Sequence, residues 1–344
     1  MRLKNILTAG AFLLLLSAGL YAQGNAPLWV TNKNAAFSER DWVCTVEQRN
    51  TRAEAQSAAA ATLALAFKMD VKSVSSAMQS FSQIASGGGQ LSRDSSLKQQ
   101  VDTSSDVAGL MGVVNDFWNA PDGSWYAAAR MNRRDGAAAY STIMKQNAGI
   151  ITGLIQEAAD EGATFGAYES LAFAYNLATL NDNYMNIVSV LDNSTAQGLR
   201  FSYGNAAAVR TLMQKAAGDI VITVEVSGDE QGALAKAFSS VFSSRKFKTS
   251  STASEPAYTL YAEYSRSPEA PVANTFRMRY LINAVLSDKD GEEVLSFTEN
   301  KRVTSTTETQ AAARAVRDTE KSITETGFAK SFDQYLESLG AVQK

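Results

Sequence analysis

The run Phe276-Arg277-Met278-Arg279-Tyr280-Leu281-Ile282-Asn283-Ala284-Val285-Leu286, followed by Ser287-Asp288-Lys289-Asp290-Gly291, decides the fold class. Phe276, Met278, Tyr280, Ile282, Ala284 and Leu286 recur at every second position, the period at which a strand turns one face to a core. Asp290-Gly291 then closes a hairpin onto a further strand, Val294 to Thr298. Upstream, Tyr258, Leu260, Ala262 and Tyr264 make another inward row, and Ile220, Ile222, Val224 and Val226 make a fourth strand. Asp229-Glu230 caps a helix in which Leu234, Phe238, Val241 and Phe242 share a stripe. Thr307 caps a long terminal helix with Ala312, Val316, Ile323, Phe328, Phe332, Tyr335 and Leu339 on a stripe that Gly327 interrupts. The order β-α-β-β-β-α over 218–340 predicts one mainly antiparallel sheet with helices on one side, an α+β domain.

Toward the N-terminus the period changes from two to 3.6 near Asn132-Arg133-Arg134-Asp135-Gly136, which predicts a helical module over 136–217. Its helices are expected at Ala137 to Ala159, Ala163 to Leu180, Tyr184 to Leu191 and Asn205 to Ala217, with Phe165, Tyr168, Leu171, Ala174 and Tyr175 as the apolar stripe of the second. Residues 26–135 read as another α+β domain, a helix on an antiparallel sheet. Strands are predicted at Leu28-Trp29-Val30, at Trp42 to Val46, at Val71 to Ile84, within Val101 to Phe117, and at Trp125 to Met131, with a turn at Pro121-Asp122-Gly123. Thr51 and Glu54 form a capping box for a helix running to about Met69. Residues 1–22 carry Arg2, Lys4 and the apolar Ile6 to Leu20, the pattern of a cleaved export leader.

Composition narrows the chemistry. The 344 residues contain no histidine and one cysteine, Cys44, so Ser-His-Asp and Cys-His nucleophilic arrangements, histidine-bearing zinc sites and an intrachain disulfide are excluded. With 32 basic and 35 acidic residues there is no field to hold nucleic acid. Trp42, Cys44 and Val46 share a strand face, which predicts a buried structural thiol. The carboxylate pairs Asp229-Glu230, Asp288 with Asp290, Asp160-Glu161 and Glu292-Glu293 all adjoin helix ends or turns, where negative charge needs no active site. Gly87-Gly88-Gly89 is not followed by the Gly-Lys-Ser of a phosphate loop. Arg277, Arg279 and Arg302 fall on a solvated sheet face. No catalytic, cofactor-binding or metal-binding residue is assigned, and no cofactor is expected.

Pro27-Leu28-Trp29-Val30, the strand at Trp42 to Val46, the Ala-rich helix after Thr51 and the closing Trp125-Tyr126-Ala127-Ala128-Ala129 together resemble the bacterial envelope proteins that share a small-surface-lipoprotein domain with the N-terminal part of flagellar assembly protein T. The resemblance covers about residues 26–135. It implies a non-enzymatic component of the cell surface or of flagellar basal structures. The lipid-bearing cysteine of that pattern is missing, so no direct lipid anchor is expected. The C-terminal order is similar to domains in the middle of flagellar assembly protein T and in the N-terminal part of the Tol-system propeller protein. The chain is therefore expected to be a non-catalytic exported protein of the periplasm, associated with the outer membrane through envelope or surface protein partners. The alternative is a periplasmic small-molecule or glycan binder in which Trp118, Trp125 and Tyr126 line a groove.

Overall fold

A computed structural model of the chain describes residues 25–86, 110–251, 254–272 and 275–341. The expected leader, the three glycines at 87–89 and positions 101–109 of an expected strand lie outside the described residues. The fold is α+β, with a three-stranded antiparallel sheet, a helical layer and a five-stranded mixed sheet.

The first sheet has the order β1 (Trp42–Arg49), β3 (Trp125–Asn132), β2 (Val114–Asn119), with β2 and β3 joined through the expected turn. A helix, Arg52–Ala66, lies across one face. Its capping box forms as expected, Thr51 Oγ1 accepting from the Glu54 amide and Glu54 from the Thr51 amide. Small residues Ala55 and Ala59 let its backbone approach β1, where Thr45 Oγ1 donates to the Ala59 carbonyl at 2.7 Å.

Two expected strands in this region are helical instead. Leu28–Thr31 and Lys33–Ala36 are single turns, the second capped by Asn32 accepting from the Ala35 amide at 3.1 Å. An apolar triplet is too short to set a period, and Pro27 and Asn32 decide the local geometry. Val71–Ser86 is a helix, started by Asp70, whose carboxylate accepts from the Lys72 amide at 3.1 Å. The buried Val74 and Ala77 and the half-buried Met78 stand at i, i+3 and i+4, a helical spacing that the serine alternation obscured.

β3 runs into the helix Arg133–Glu161 with no intervening residue, Asn132 ending the strand and capping the helix by accepting from the Asp135 amide at 3.0 Å. Phe165–Leu191 is one continuous helix, so the separate segment expected at Tyr184 to Leu191 does not exist. Asn181 and Asn183 look like a polar break in the sequence, yet both are buried rungs. Asn147 donates to Asn181 at 2.9 Å, Asn181 donates to the Met144 carbonyl and the Tyr203 hydroxyl, and Asn183 accepts from the Asp70 amide. A short helix, Asn193–Gly198, and the helix Ala206–Asp219 complete this layer. Leu63, Phe67 and Met131 from the first segment share one core with Tyr140, Met144, Leu177 and Ile187 from the helices. Gly136, expected near a joint, sits inside a helix against Leu191 and Met131, where an added Cβ would come within 2.9 Å of each side chain.

The second sheet has the order Lys248–Ser250, Val221–Ser227, Tyr258–Val272, Thr275–Asp288, Glu293–Ser305. The last three strands form the expected antiparallel meander, and the hairpin at Asp288–Gly291 closes with the Gly291 amide donating to the Asp288 carbonyl. Two corrections apply. Val221–Ser227 pairs parallel to both of its neighbours, and Lys248–Ser250 is an additional strand. Alternation reports which face is buried and carries no strand direction. Phe276, expected inward, lies at the sheet end and is 38% exposed, while Met278, Tyr280, Ile282, Ala284 and Leu286 are buried. Helices Ala233–Ser244, Glu308–Lys321 and Phe328–Ala341 cover one face. The terminal helix breaks as expected at Gly327, through a π turn at Ser322–Thr326. Phe165, the first residue of its helix, belongs to this second core, stacked on Tyr258 with ring centres 3.9 Å apart.

Candidate functional site

The sequence pairs of carboxylates occupy structural positions. Asp229 accepts from the amides of Ala233, Leu234 and Ala235 at 3.0, 2.8 and 2.9 Å, capping the helix behind it. Asp288 accepts from the Asp290 and Glu292 amides inside its turn. Asp160 accepts from Gln156 and Glu161 from Thr164. Among the described residues no group of three or more cysteines, aspartates and glutamates is placed to hold a metal ion. Arg279 and Arg302 share Glu269 at 2.7 and 2.5 Å, and their hydrogen bonds, that of Arg302 first, hold its carboxyl below the usual range. Of the three arginines singled out in the sequence, Arg279 and Arg302 are thus engaged with Glu269, while the Nε of half-buried Arg277 has no hydrogen-bond partner among the described residues.

Cys44 is half-buried, against the expectation of a buried thiol. Its strand face is the one turned away from the Arg52–Ala66 helix. Arg130 lies over the rings of Trp42 and Phe37 on that face, at 4.4 and 4.8 Å, and pairs with Asp116 at 2.8 Å. Burial pushes the Cys44 thiol up to about 11, against the lowering influence of Lys33 and Arg130, so it stays protonated at neutral pH.

Trp118 and Tyr126 are directly opposite across β2 and β3, half-buried, with ring centres 5.4 Å apart. Trp125 points to the other face and packs on the first core, as the strand period requires. None of the three grooves described next includes the Trp118 or Tyr126 ring.

One groove, about 930 Å³, runs along the Arg133–Glu161 helix between Arg40, Trp42, Arg134, Lys145 and Thr195. Arg133 is fixed there by donating to the carbonyls of Glu39, Val190 and Leu191. Asp192 caps the following turn through Ser194 and Thr195, and those bonds, Thr195 first, hold its carboxyl at about 2. A second groove of about 430 Å³ lies between the 228–231 loop, the helix Glu308–Lys321 and the strand residues Tyr264 and Arg266. A third, about 280 Å³, is apolar and walled by Met111, Val114, Ala139 and Tyr140. Sequence reasoning missed Tyr264, Arg266 and Arg317 as groove residues. One signal was available, because Arg266 continues the inward row Leu260, Ala262, Tyr264 and ends an apolar face with a cation.

Neither a protein-family model nor a curated protein matches the chain. Solved structures with some likeness include the secreted protein HP1454 from Helicobacter pylori, 10% identical over 83% of this chain and 98% of that one, with a TM-score of 0.40. A minor lipoprotein from Acinetobacter baumannii is 12% identical over 35% of this chain and 91% of that one, with a TM-score of 0.26. Both scores are too low for the likeness to carry any argument.

Proposed function

We propose that the chain is a non-catalytic exported protein of the bacterial envelope that works by binding other proteins in the periplasm. The observation that carries this reading is the face of the five-stranded sheet that none of the described helices of that half covers. All three helices of that half pack on one side. The other side presents Tyr261, 46% exposed, opposite half-buried Val285, with half-buried Leu281 farther along the strand, rows of Thr, Ser and Asn, and the Glu269, Arg279 and Arg302 cluster at one end. Asp229, Asp288, Asp160 and Glu161, from the carboxylate pairs of the sequence, are held in helix ends and turns, which supports a non-enzymatic role for those pairs. Export rests on the reading of residues 1–22. Association with flagellar basal structures is a narrower form that rests on the N-terminal resemblance alone.

A photo-crosslinking residue at Tyr261, compared in cells with one at the exposed helix position Lys236, tests the protein-binding reading. A specific adduct at 261 and none at 236 is the expected result. Equal labelling at both positions, or recovery of the chain in the cytoplasmic fraction, overturns it. The second reading, glycan binding, draws on the adjacency of Trp118 and Tyr126. Quenching of tryptophan fluorescence by an oligosaccharide, lost in Trp118→Ala, is the result that would replace the first reading with it.

A further inference from the structure

We infer that the groove between the Glu308–Lys321 helix and the 228–231 loop binds a small zwitterion of the α-amino-acid type with an aliphatic side chain. This goes beyond the protein-binding reading and does not depend on it. The groove's volume of about 430 Å³ lies in the range of small-ligand sites. One wall is the aliphatic face Ala312, Ala313 and Val316, three positions on one side of the helix. Five charged side chains, three acidic and two basic, surround it.

Their pairing leaves room for a ligand. Asp229 is committed to three backbone amides. Arg266 and Glu230 form a loose ion pair at 3.6 Å, longer than a hydrogen bond, and the Glu230 side chain is 79% exposed, so the pair can open to a ligand. Arg317 and Glu320 make no ion pair among the described residues. A simple anion here meets Glu230 and Glu320, and a simple cation meets Arg266 and Arg317. A ligand carrying carboxylate and ammonium on one carbon pairs with both sets and lays its side chain on the aliphatic wall. Tyr264 adds a further polar group. It is 6% exposed, and its hydroxyl is turned to Thr319 at the base of the groove wall.

Titration calorimetry of the leaderless full chain with L-leucine tests the proposal, with 4-methylpentanoate and 3-methylbutylamine as the halves lacking ammonium and carboxylate. Leucine is expected to bind with a Kd between about 10 µM and 1 mM, and each half at least about tenfold more weakly. Arg317→Ala is expected to weaken leucine about tenfold, and Ala313→Trp, at an exposed helix position, to abolish binding. Arg314→Ala, on the neighbouring face, leaves it unchanged. The proposal is overturned by three results: no saturable heat with leucine at about 10 mM, equal binding of either half, or undiminished binding in folded Ala313→Trp.

Discussion

Replacing Phe165 by alanine separates two cores that the chain keeps locked. The Phe165 side chain is fully buried, stacks on Tyr258 and meets Phe247 and Phe332 edge-on at 5.1 and 5.3 Å. Truncating a buried phenylalanine costs about 3 to 5 kcal/mol, and four lost ring pairs, the fourth with Tyr335 at 6.2 Å, place this site near the top of that range. The backbone bond from the Phe165 amide to the Tyr258 hydroxyl survives the change, so the loss is one of packing alone. All four tryptophans, Trp29, Trp42, Trp118 and Trp125, lie in the first half of the chain. Fluorescence therefore reports the first core, and far-ultraviolet circular dichroism reports both. In urea, Phe165→Ala is expected to bring an early dichroism transition from the second core while the fluorescence midpoint stays near that of the parent. A destabilisation below about 1 kcal/mol, or two transitions that move together, refutes the assignment of Phe165 to the second core alone.

Burial, with Glu337 and Asp333 adding to it, pushes the Glu169 carboxyl up to about 8. Its protonated form is favoured in the folded state, so that stabilisation is full below the unfolded value near 4.5 and is lost as pH rises toward 8. Melting temperature should fall across this window and flatten in Glu169→Gln, and parallel profiles would contradict the placement. Gly228→Ala sets a Cβ 2.0 Å from the Tyr264 carbonyl oxygen at φ +76°, whereas Gly112→Ala, at φ +72°, meets open space. Chemical denaturation should show the second near the left-handed cost of about 1 to 2 kcal/mol and the first well above it. Asp229→Ala frees three helix amides and is expected to cost about 1 to 2 kcal/mol by the same measurement, an effect absent in Glu230→Ala.

Local patterning made the second sheet legible. The row from Met278 to Leu286 is period two over a long stretch, and the Asp-Gly turn fixes its partner. The helix caps at Thr51, Thr307 and Asp229 were legible for the same reason, since a cap is decided within a few residues. Long-range pairing was not. The parallel direction of Val221–Ser227 depends on a crossover helix, and the membership of Phe165 in a core beyond its own helix depends on Tyr258, 93 residues away. Asn181 and Asn183 misled because a buried amide and an exposed one look alike until their partners are placed. At the candidate groove, the Asp229 cap was read correctly, while Tyr264 and Arg317 come together only through the packing of the terminal helix on the sheet.

The direct passage from Asn132 into the Arg133–Glu161 helix has a mechanical meaning. β3 is the middle strand of its sheet, hydrogen-bonded on both sides. A helix of 29 residues, about 43 Å long, is welded to its end without a linker. Tension along that helix is therefore carried in shear by both ladders at once, so that many hydrogen bonds must fail together. The same join leaves no slack for the helix to swing independently of the sheet. Pulled along that axis, this half of the molecule is built as a tie rod.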